Sequence, residues 1–370
     1  MTVLRDFYER RGQSPWIDNI RRDWLEDGTL TRMVADGVRG VTSNPAIFAK
    51  AFSSTSAYDD LVAKSTERDP ERIFETLAVA DVRDACDVLR AVFDEADAER
   101  SAGRRRHGDG YVSLEVSPRL AHDTEGTVEA AVRLAREVDR ANLMIKIPAT
   151  REGLPAVTQV LEHGINVNVT LIFSVPRYAE VLEAWFAGVR SAREAGHDIG
   201  RLASVASFFV SRVDSAIDPL LPDGDPRRGH AANAQVAAAY QCYLDFVQRP
   251  DVTATLAAGA QVQRPLWAST SVKNPDYSDL LYVDPLTAPE TVNTMPDNTM
   301  AATLDHGGRT DSLIADAPVR ARSMALLDEL PESVNLAAVT EKLESDGVAA
   351  FVASYDELLA TVAAKLSSVS

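Results

Sequence analysis

The chain has few cysteines, a shortage of positive charge and no long apolar run, and each shortage narrows what the protein can be. Its two cysteines, Cys86 and Cys242, form no C-x-x-C spacing, which argues against a disulfide framework and favours a reducing cytoplasm. The charged N-terminus lacks the apolar core of a signal peptide. No apolar run approaches the roughly 20 residues of a membrane span, so we expect no membrane association.

Positive charge is scarce relative to negative charge. There are 38 Lys and Arg against 55 Asp and Glu, which gives a net charge of −17. A polyanion would be repelled, so nucleic acid is disfavoured as a partner. An anionic small substrate remains possible only where Arg or Lys side chains form a local site.

Motifs for metals and nucleotides are also absent from the sequence. The six histidines are scattered, without H-E-x-x-H or a Cys/His cluster. P-loop, G-x-G-x-x-G and G-x-S-x-G patterns do not occur. We therefore predict neither a metal nor another cofactor.

What the chain does contain is a regular alternation of short apolar runs and longer helical patterns such as Thr127–Val138. This alternation predicts βα units with a parallel sheet, and eight strands in one series favour a closed (β/α)8 TIM barrel. We interpret residues 1–370 as one domain, with 297–370 as a C-terminal helical extension. The predicted strands are Trp16–Asn19, Val38–Thr42, Tyr111–Val116, Asn142–Ile147, Ile165–Leu171, Leu202–Phe208, Pro265–Ser269 and Thr291–Met295.

Outside the predicted strands, two charged segments and the C-terminal segment also have patterns that predict their structure. Asp94–Gly110, which contains three consecutive arginines, and Asp223–Gly229 read as solvated loops. The last segment repeats apolar residues at helical spacing and predicts a packed helix without a chemical role. Its apolar positions are Phe351, Tyr355, Leu358, Leu359, Val362 and Leu366.

Several predicted strands carry polar side chains on one face and apolar side chains on the other. The outer face of a barrel strand packs on helices, so the polar face must line the lumen, where C-terminal strand ends form active sites. Burying such groups is costly unless they are paired or neutralised. The polar positions, strand by strand, are Thr42 and Asn44; Ser113, Glu115 and Ser117; Lys146; Asn166, Asn168 and Thr170.

Taken singly, these residues also have structural explanations. Lys146 and Glu115 could form a buried salt bridge, although buried lysine is rare. Asp18 could be a helix N-cap. Asn168 and Thr170 could bond to backbone or to each other, and Arg212 on a predicted helix could be a surface charge.

Seven motifs in chain order together resemble the transaldolase family, over about Trp16 to Pro296. The length of the chain and its Lys-Asn-Pro sequence at 273–275 resemble those of the longer bacterial branch of that family. The motifs are Gly40–Phe48, Val112–Leu120, Asn142–Thr150, Asn166–Ser174, Ser207–Arg212, Trp267–Pro275 and Thr291–Pro296.

The resemblance implies a cofactor-free transferase of the non-oxidative pentose phosphate pathway. It implies that Lys146 forms a Schiff base with a ketose phosphate and that a three-carbon unit passes to an aldose phosphate. Family members resembling this chain are monomers or homodimers. The resemblance implies that Glu115 and Thr170 hold a water molecule that shuttles protons, and that Asp18 takes and returns the proton of the substrate hydroxyl. It implies that the three-carbon fragment is bound by Asn44, Asn168 and Ser207. It also implies that Arg212 and the loop after the seventh strand bind the phosphate.

One position departs from the family pattern. Shorter transaldolases carry Arg two residues after the serine that corresponds to Ser269, but this chain has Ser271 there. Lys273 is the nearest cation, and the resemblance implies that it substitutes as a point charge for the guanidinium fork.

The Schiff-base mechanism requires an unprotonated amine, and an ordinary lysine is almost fully protonated at neutral pH. The apolar strand around Lys146 would favour the free amine by desolvation. An ionised Glu115 in direct contact would oppose this, so we expect Glu115 to act through water. The rival interpretations are another class I aldolase, which releases the three-carbon unit, and a non-catalytic sugar-phosphate-binding barrel.

Overall fold

Eight parallel strands close into a barrel with the order β1 to β8, each strand pairing with its sequence neighbours and β1 with β8. The structure is a computed structural model that describes residues 2–331 and 333–367. The predicted (β/α)8 barrel is confirmed, and every strand boundary lies within three residues of its predicted position. The strands are Gln13–Ile17, Gly40–Val41, Tyr111–Glu115, Leu143–Pro148, Val167–Ile172, Ser204–Phe209, Arg264–Ala268 and Thr291–Met295.

Helices surround the barrel and continue beyond its last strand. Numbered α1 to α16 along the chain, they are Val3–Glu9, Arg22–Glu26, Thr29–Asp36, Pro45–Ser54, Asp59–Lys64, Pro70–Val88, Arg90–Ser101, Thr124–Val138, Gly153–Glu162, Val175–Glu194, Ser211–Ile217, Ala231–Val247, Pro250–Ala257, Asp297–His306, Ala317–Ala325 and Leu336–Ser367. Short 3₁₀ turns occur at Ser56–Tyr58, Pro118–Leu120, Ile199–Arg201, Asp218–Leu220 and Asp284–Leu286. The C-terminal extension contains the helices α14, α15 and α16, and its last three residues, 368–370, lie outside the described residues.

The lumen is layered because every second strand residue points inward. Successive inward residues are Ser14 and Trp16 on β1, and Arg264 and Leu266 on β7. The lowest layer is polar, and the middle layer is apolar, formed by Trp16, Met144, Val205, Leu266 and Val292. On β4, the inward residue that follows Met144 is Lys146, which lies in the layer above the apolar one. The apolar layer thus separates two polar layers at opposite ends of the barrel.

Gly40 shows how tightly this packing is constrained. A Cβ atom at Gly40 would lie 2.3 Å from Trp16 Cε2, closer than real contacts allow. Trp16 can therefore lie across β2 only because residue 40 has no side chain.

The prediction for Asp94–Gly110 is wrong in two respects. Residues 94–101 belong to helix α7, and His107 and Asp109 are buried at the lower end of the barrel. Asp109 accepts hydrogen bonds from Ser14 Oγ (2.5 Å) and Trp16 Nε1 (2.9 Å) and forms an ion pair with Arg39 (3.0 Å). These partners make burial of the carboxylate tolerable. The Asp223–Gly229 segment is a loop, as predicted.

The same cluster holds Arg264, whose Nη1 lies 2.6 Å from His107 Nδ1. Burial lowers the pKa of His107 to about 3, and the neighbouring Arg264 adds to the effect, so this histidine is neutral. Burial alone would raise the pKa of Asp109, but Arg264 and Arg39 hold it below its ordinary value. The lower end of the lumen is consequently plugged by a charged network.

Helix α16 passes over the upper end of the barrel. By length and composition it is long and apolar enough to cross a membrane, contrary to the expectation from the sequence. Its buried face packs on the protein: the Tyr355 ring lies 5.8 Å from the Phe74 ring, and Leu358 and Val362 are fully buried. The predicted packed helix is confirmed: Phe351, Tyr355, Leu358 and Val362 are buried.

Candidate active site

A cavity of about 180 Å³ opens at the C-terminal ends of the strands, where barrel enzymes place their chemistry. Eight of the ten predicted site residues line it: Asp18, Asn44, Lys146, Thr170, Ser207, Arg212, Ser269 and Lys273. Glu115 and Asn168 do not line it but contact the lining residues Lys146 and Ser207, respectively. A larger cavity of about 860 Å³, next to the start of α16, contains none of the ten.

Lys146 and Glu115 form a buried pair. They occupy adjacent positions on the parallel strands β4 and β3, so their side chains project from neighbouring points on the same face. Lys146 Nζ lies 3.1 Å from Glu115 Oε2, and the side chains are 5% and 4% exposed. The expectation that Glu115 contacts the amine only through water is therefore wrong for this structure.

The amine has two further neighbours that fix its position. Lys146 Nζ donates a hydrogen bond to the Ser43 carbonyl (3.0 Å) and lies 5.6 Å from the centroid of the Phe351 ring. Burial raises the pKa of Glu115 to about 7, although Lys146 acts in the opposite direction. A carboxyl group with this pKa can take up and release a proton near neutral pH.

Thr170 presents a buried hydroxyl beside this pair. Its Oγ1 makes no hydrogen bond with any described residue, and the residue is fully buried. A buried hydroxyl without a partner costs about 1–3 kcal/mol. Such a group is suited to hold a substrate atom or a water molecule that is consumed in the reaction.

Asp18 follows β1 directly and reaches the same cavity. The Thr42 hydroxyl donates to Asp18 Oδ1 (2.6 Å), and the Thr294 hydroxyl lies 2.6 Å from that of Thr42. Burial raises the pKa of Asp18, while Lys146 and the Thr42 hydrogen bond oppose the rise. Asp18 is thus a carboxyl with raised proton affinity, held in a fixed orientation rather than acting as a helix cap.

The amide residues are less free than the sequence suggests. Asn168 Nδ2 donates to Ser113 Oγ (3.0 Å), and its Oδ1 accepts from Ser207 Oγ (2.7 Å). Asn168 therefore does not line the cavity and instead orients Ser207. Asn44 Oδ1 accepts from the Ile47 N–H (3.0 Å) as the N-cap of α4, which leaves its amide nitrogen for the cavity.

Two cations lie at the rim of the cavity. Arg212, in the first turn of α11, is half-buried over the Phe209 ring, at 5.4 Å from its centroid. Burial lowers its pKa, and no carboxylate among the described residues pairs with it. Lys273 is exposed, and its Nζ donates to Ser271 Oγ (2.7 Å). Both cations line the cavity and attract an anionic group that enters it.

Strained backbone borders the cavity on two sides. Leu171, directly after Thr170, has a φ of 60°, and Ser269 has a φ of 56°. Left-handed backbone at such residues costs about 1–3 kcal/mol each and concentrates at functional sites. On the Leu171 side the pairing of β5 with β6 also shifts register between Val169 and Ile172.

Some residues of the cavity were missed by sequence reasoning. Phe351 lies in a stripe that we interpreted as packing alone, and Thr294 was not singled out. Thr294 could have been found, because it shares the inward face of β8 with Val292. No local signal distinguishes Phe351 from the other apolar residues of its helix.

Comparison with known proteins decides the family. The family model described as transaldolase/fructose-6-phosphate aldolase matches residues 15–362. The chain belongs to this family. Similar curated proteins, each named transaldolase, include one from Thiobacillus denitrificans with 47% identity, covering 98% of this chain and 100% of that protein. One from Mycolicibacterium paratuberculosis is 49% identical, covering 97% and 96%.

The family match spans both the barrel and most of α16. A protein of Mycobacterium leprae, also named transaldolase, is 48% identical over 97% of this chain and 95% of its own length. The predicted family is therefore confirmed, and the match includes the helix that carries Phe351.

Proposed function

We propose that this protein is a transaldolase that transfers a dihydroxyacetone unit from a ketose phosphate to an aldose phosphate. The donors would be sedoheptulose 7-phosphate or fructose 6-phosphate, and the acceptors glyceraldehyde 3-phosphate or erythrose 4-phosphate. The observation that carries this proposal is the buried amine of Lys146 in contact with Glu115, at the end of a cavity with two cations at its rim.

Lys146 is the nucleophile in this proposal. Its proton passes to Glu115, the free amine adds to the ketone, and loss of water gives an imine. Thr170 holds the water that carries protons in these steps. The protonated imine then accepts the electron pair of the C3–C4 bond as that bond breaks.

Asp18 takes the proton of the C4 hydroxyl as the first aldose leaves, and returns a proton when the new carbon–carbon bond forms. Asn44 and Ser207 hydrogen-bond the retained fragment, with Asn168 positioning Ser207. Ser269 borders the same space. Arg212 and Lys273 bind the phosphate, which supplies binding energy away from the reacting carbons.

We also propose that one chain carries a complete site, as a monomer or in a homodimer, and that residues 1–370 act as one domain. Eight of the ten site residues and Phe351 line one cavity, and α16 packs on the barrel through Tyr355 and Phe74. The two cysteines are free thiols, which supports a cytoplasmic location.

The experiment that tests the proposed function is acceptor dependence. Purified protein is given fructose 6-phosphate with or without erythrose 4-phosphate, and sedoheptulose 7-phosphate, glyceraldehyde 3-phosphate and free dihydroxyacetone are quantified. A transaldolase forms sedoheptulose 7-phosphate and releases little dihydroxyacetone. Release of dihydroxyacetone at an undiminished rate without acceptor would instead support an aldolase, the second activity in the family's name.

A further inference from the structure

Helix α16 places an aromatic ring directly over the proposed nucleophile. Phe351 is 5% exposed and lines the same cavity as Asp18 and Thr170. Its ring centroid lies 5.6 Å from Lys146 Nζ. The ring therefore occupies space next to the amine that water would otherwise fill.

The helix is held in this position by close packing. A Cβ atom at Gly347, one turn before Phe351, would lie 3.1 Å from Leu171 Cδ2 and 3.4 Å from Phe173 Cε2. Leu171 is the strained residue that follows Thr170. Glycine at position 347 thus lets α16 approach the end of β5 closely enough for Phe351 to reach Lys146.

Ion pairs tie the helix to the barrel on both sides of Phe351. Arg177 Nε lies 3.2 Å from Glu344 Oε2, and Arg119 Nη2 lies 2.7 Å from Asp356 Oδ1. The Arg119–Asp356 pair is exposed and adds little stability singly, whereas the Arg177–Glu344 pair is partly buried. Together with the Gly347 contact they restrict where the Phe351 ring can lie.

The chemistry next to this ring has two possible outcomes. After the first aldose leaves and the carbanion carbon is protonated, water can add to the imine carbon; the C–N bond then breaks, releasing dihydroxyacetone and the free Lys146 amine. Alternatively, the carbanion attacks an aldose carbonyl. A transferase must keep the first outcome slower than the second.

We infer that Phe351 is a specificity-determining residue that selects transfer over hydrolysis of the three-carbon imine. Its ring excludes water from the imine carbon, and the ring face attracts the cationic imine. This inference rests on the proposed function and extends it to a residue outside the barrel strands.

The test compares hydrolysis with transfer in Phe351 variants. The measured quantity is the ratio of hydrolysis to transfer. It is the amount of free dihydroxyacetone released from fructose 6-phosphate alone, divided by the amount of sedoheptulose 7-phosphate formed when erythrose 4-phosphate is also present. Phe351→Ala should raise this ratio by about tenfold or more, because both water exclusion and the cation–π contact are lost. Phe351→Leu, which keeps an apolar side chain but no aromatic face, should give an intermediate ratio.

Leu358→Ala is the matched control. Leu358 is fully buried on the same helix, two turns further on, and does not line the cavity. This variant removes buried side-chain volume away from the cavity and keeps both the Phe351 ring and the Gly347 contact, so its ratio should stay at the wild-type value. Circular dichroism and thermal unfolding of every variant show which ones fold.

Gly347→Ala supplies a second route that leaves Phe351 intact. The added Cβ would lie 3.1 Å from Leu171 Cδ2, so α16 and the Leu171 side chain must separate by a few tenths of an ångström. The ratio should therefore rise in the same direction as in Phe351→Ala, but less. If the wild type transfers and the folded Phe351 and Gly347 variants keep its ratio, the inference is overturned while the proposed function stands. If the wild type itself transfers nothing, the proposed function fails.

Discussion

Lys146 and Glu115 hold an amine and a carboxyl 3.1 Å apart where water hardly reaches. Taking two charges out of water costs several kcal/mol for each, and their attraction returns this only with good geometry. A barrel selected for stability alone would place apolar side chains here. In the proposed mechanism Glu115 takes up and releases a proton beside Lys146, and a Glu115 pKa of about 7 suits this role near neutral pH.

This account predicts a pH dependence that belongs to Glu115. Because burial raises the pKa of Glu115 to about 7, kcat/KM should rise as pH increases through about 7 and the carboxylate forms. In Glu115→Gln this inflection should disappear, and kcat should fall by about 10²–10⁴-fold. The measurement is kcat/KM for fructose 6-phosphate between pH 5 and 9. An unchanged inflection in the variant would assign it to another group.

A second residue-scale prediction concerns Arg212. Arg212→Ala should raise KM for fructose 6-phosphate far more than it lowers kcat, because the guanidinium binds a phosphate remote from the reacting carbons. Arg212→Lys should recover part of the loss, since a point charge replaces the fork. Steady-state kinetics of both variants check this. A fall in kcat with KM unchanged would contradict phosphate binding by Arg212.

The alternation of polar and apolar residues correctly predicts which strand residues face the lumen. It does not predict the distances between side chains on neighbouring strands. The direct contact of Glu115 with Lys146 follows from the pairing register of β3 with β4, which the sequence does not state. Asn168 was expected to contact substrate, yet its amide is bonded to Ser113 and Ser207. Which partner a buried amide finds depends on the neighbouring strand.

At the scale of elements, the strands were predictable and some of their connections were not. Apolar runs of limited length mark buried strands, and all eight were found. The prediction for Asp94–Gly110 was wrong because its many charged residues suggested exposure to solvent. Asp109 is instead buried, and it pairs with Arg264 on β7 and with Arg39, which precedes β2. Helix α16 was predicted as packing, but its path over the barrel mouth is a tertiary feature.

Asp214 connects α11 with α12 and with the segment between β7 and β8, so it predicts how the stability of this part of the fold depends on pH. Its carboxylate accepts hydrogen bonds from the Ala232 N–H of α12 (2.8 Å) and from the Tyr282 hydroxyl (2.8 Å), in the segment between β7 and β8 that also holds Lys273. Burial raises the pKa of Asp214 to about 6. The folded protein therefore binds this proton more tightly than the unfolded chain, so its stabilising contribution is complete below about pH 4 and is lost as pH rises through 6.

Asp214→Asn removes this titration while keeping both neighbours within hydrogen-bonding reach. Relative to wild type, the free energy of unfolding of the variant should increase between pH 4 and pH 7, by up to about 3 kcal/mol. Urea unfolding at several pH values measures the difference. A difference that stays constant with pH would show that Asp214 titrates alike in the folded and unfolded states.

For the whole molecule, the two ends of the barrel have separate tasks. The lower end is plugged by Asp109, Arg264, Arg39 and neutral His107, and the upper end holds the proposed chemistry. The apolar layer around Trp16 and Leu266 separates them. This division matches the rule that the lower face of such barrels serves stability and the upper face serves catalysis.

Asp109→Asn tests that separation. Loss of the carboxylate leaves Arg264 buried without its counter-charge, so the free energy of unfolding should fall by about 3–5 kcal/mol. The kcat of the folded fraction should match wild type. Asp276→Asn, at an exposed position, is the control and should change stability by about 0.5 kcal/mol or less. A large loss of kcat in folded Asp109→Asn would contradict the division between the ends.

The central claim is that Lys146 forms an imine with a retained three-carbon fragment. The most direct measurement is borohydride reduction of the protein incubated with fructose 6-phosphate alone, followed by intact mass and peptide mapping, with Lys146→Met as the control. The account predicts a three-carbon adduct on the peptide containing Lys146 in the wild type and none in the variant. An adduct on another lysine, or none while the sugar phosphate still binds, would contradict the account.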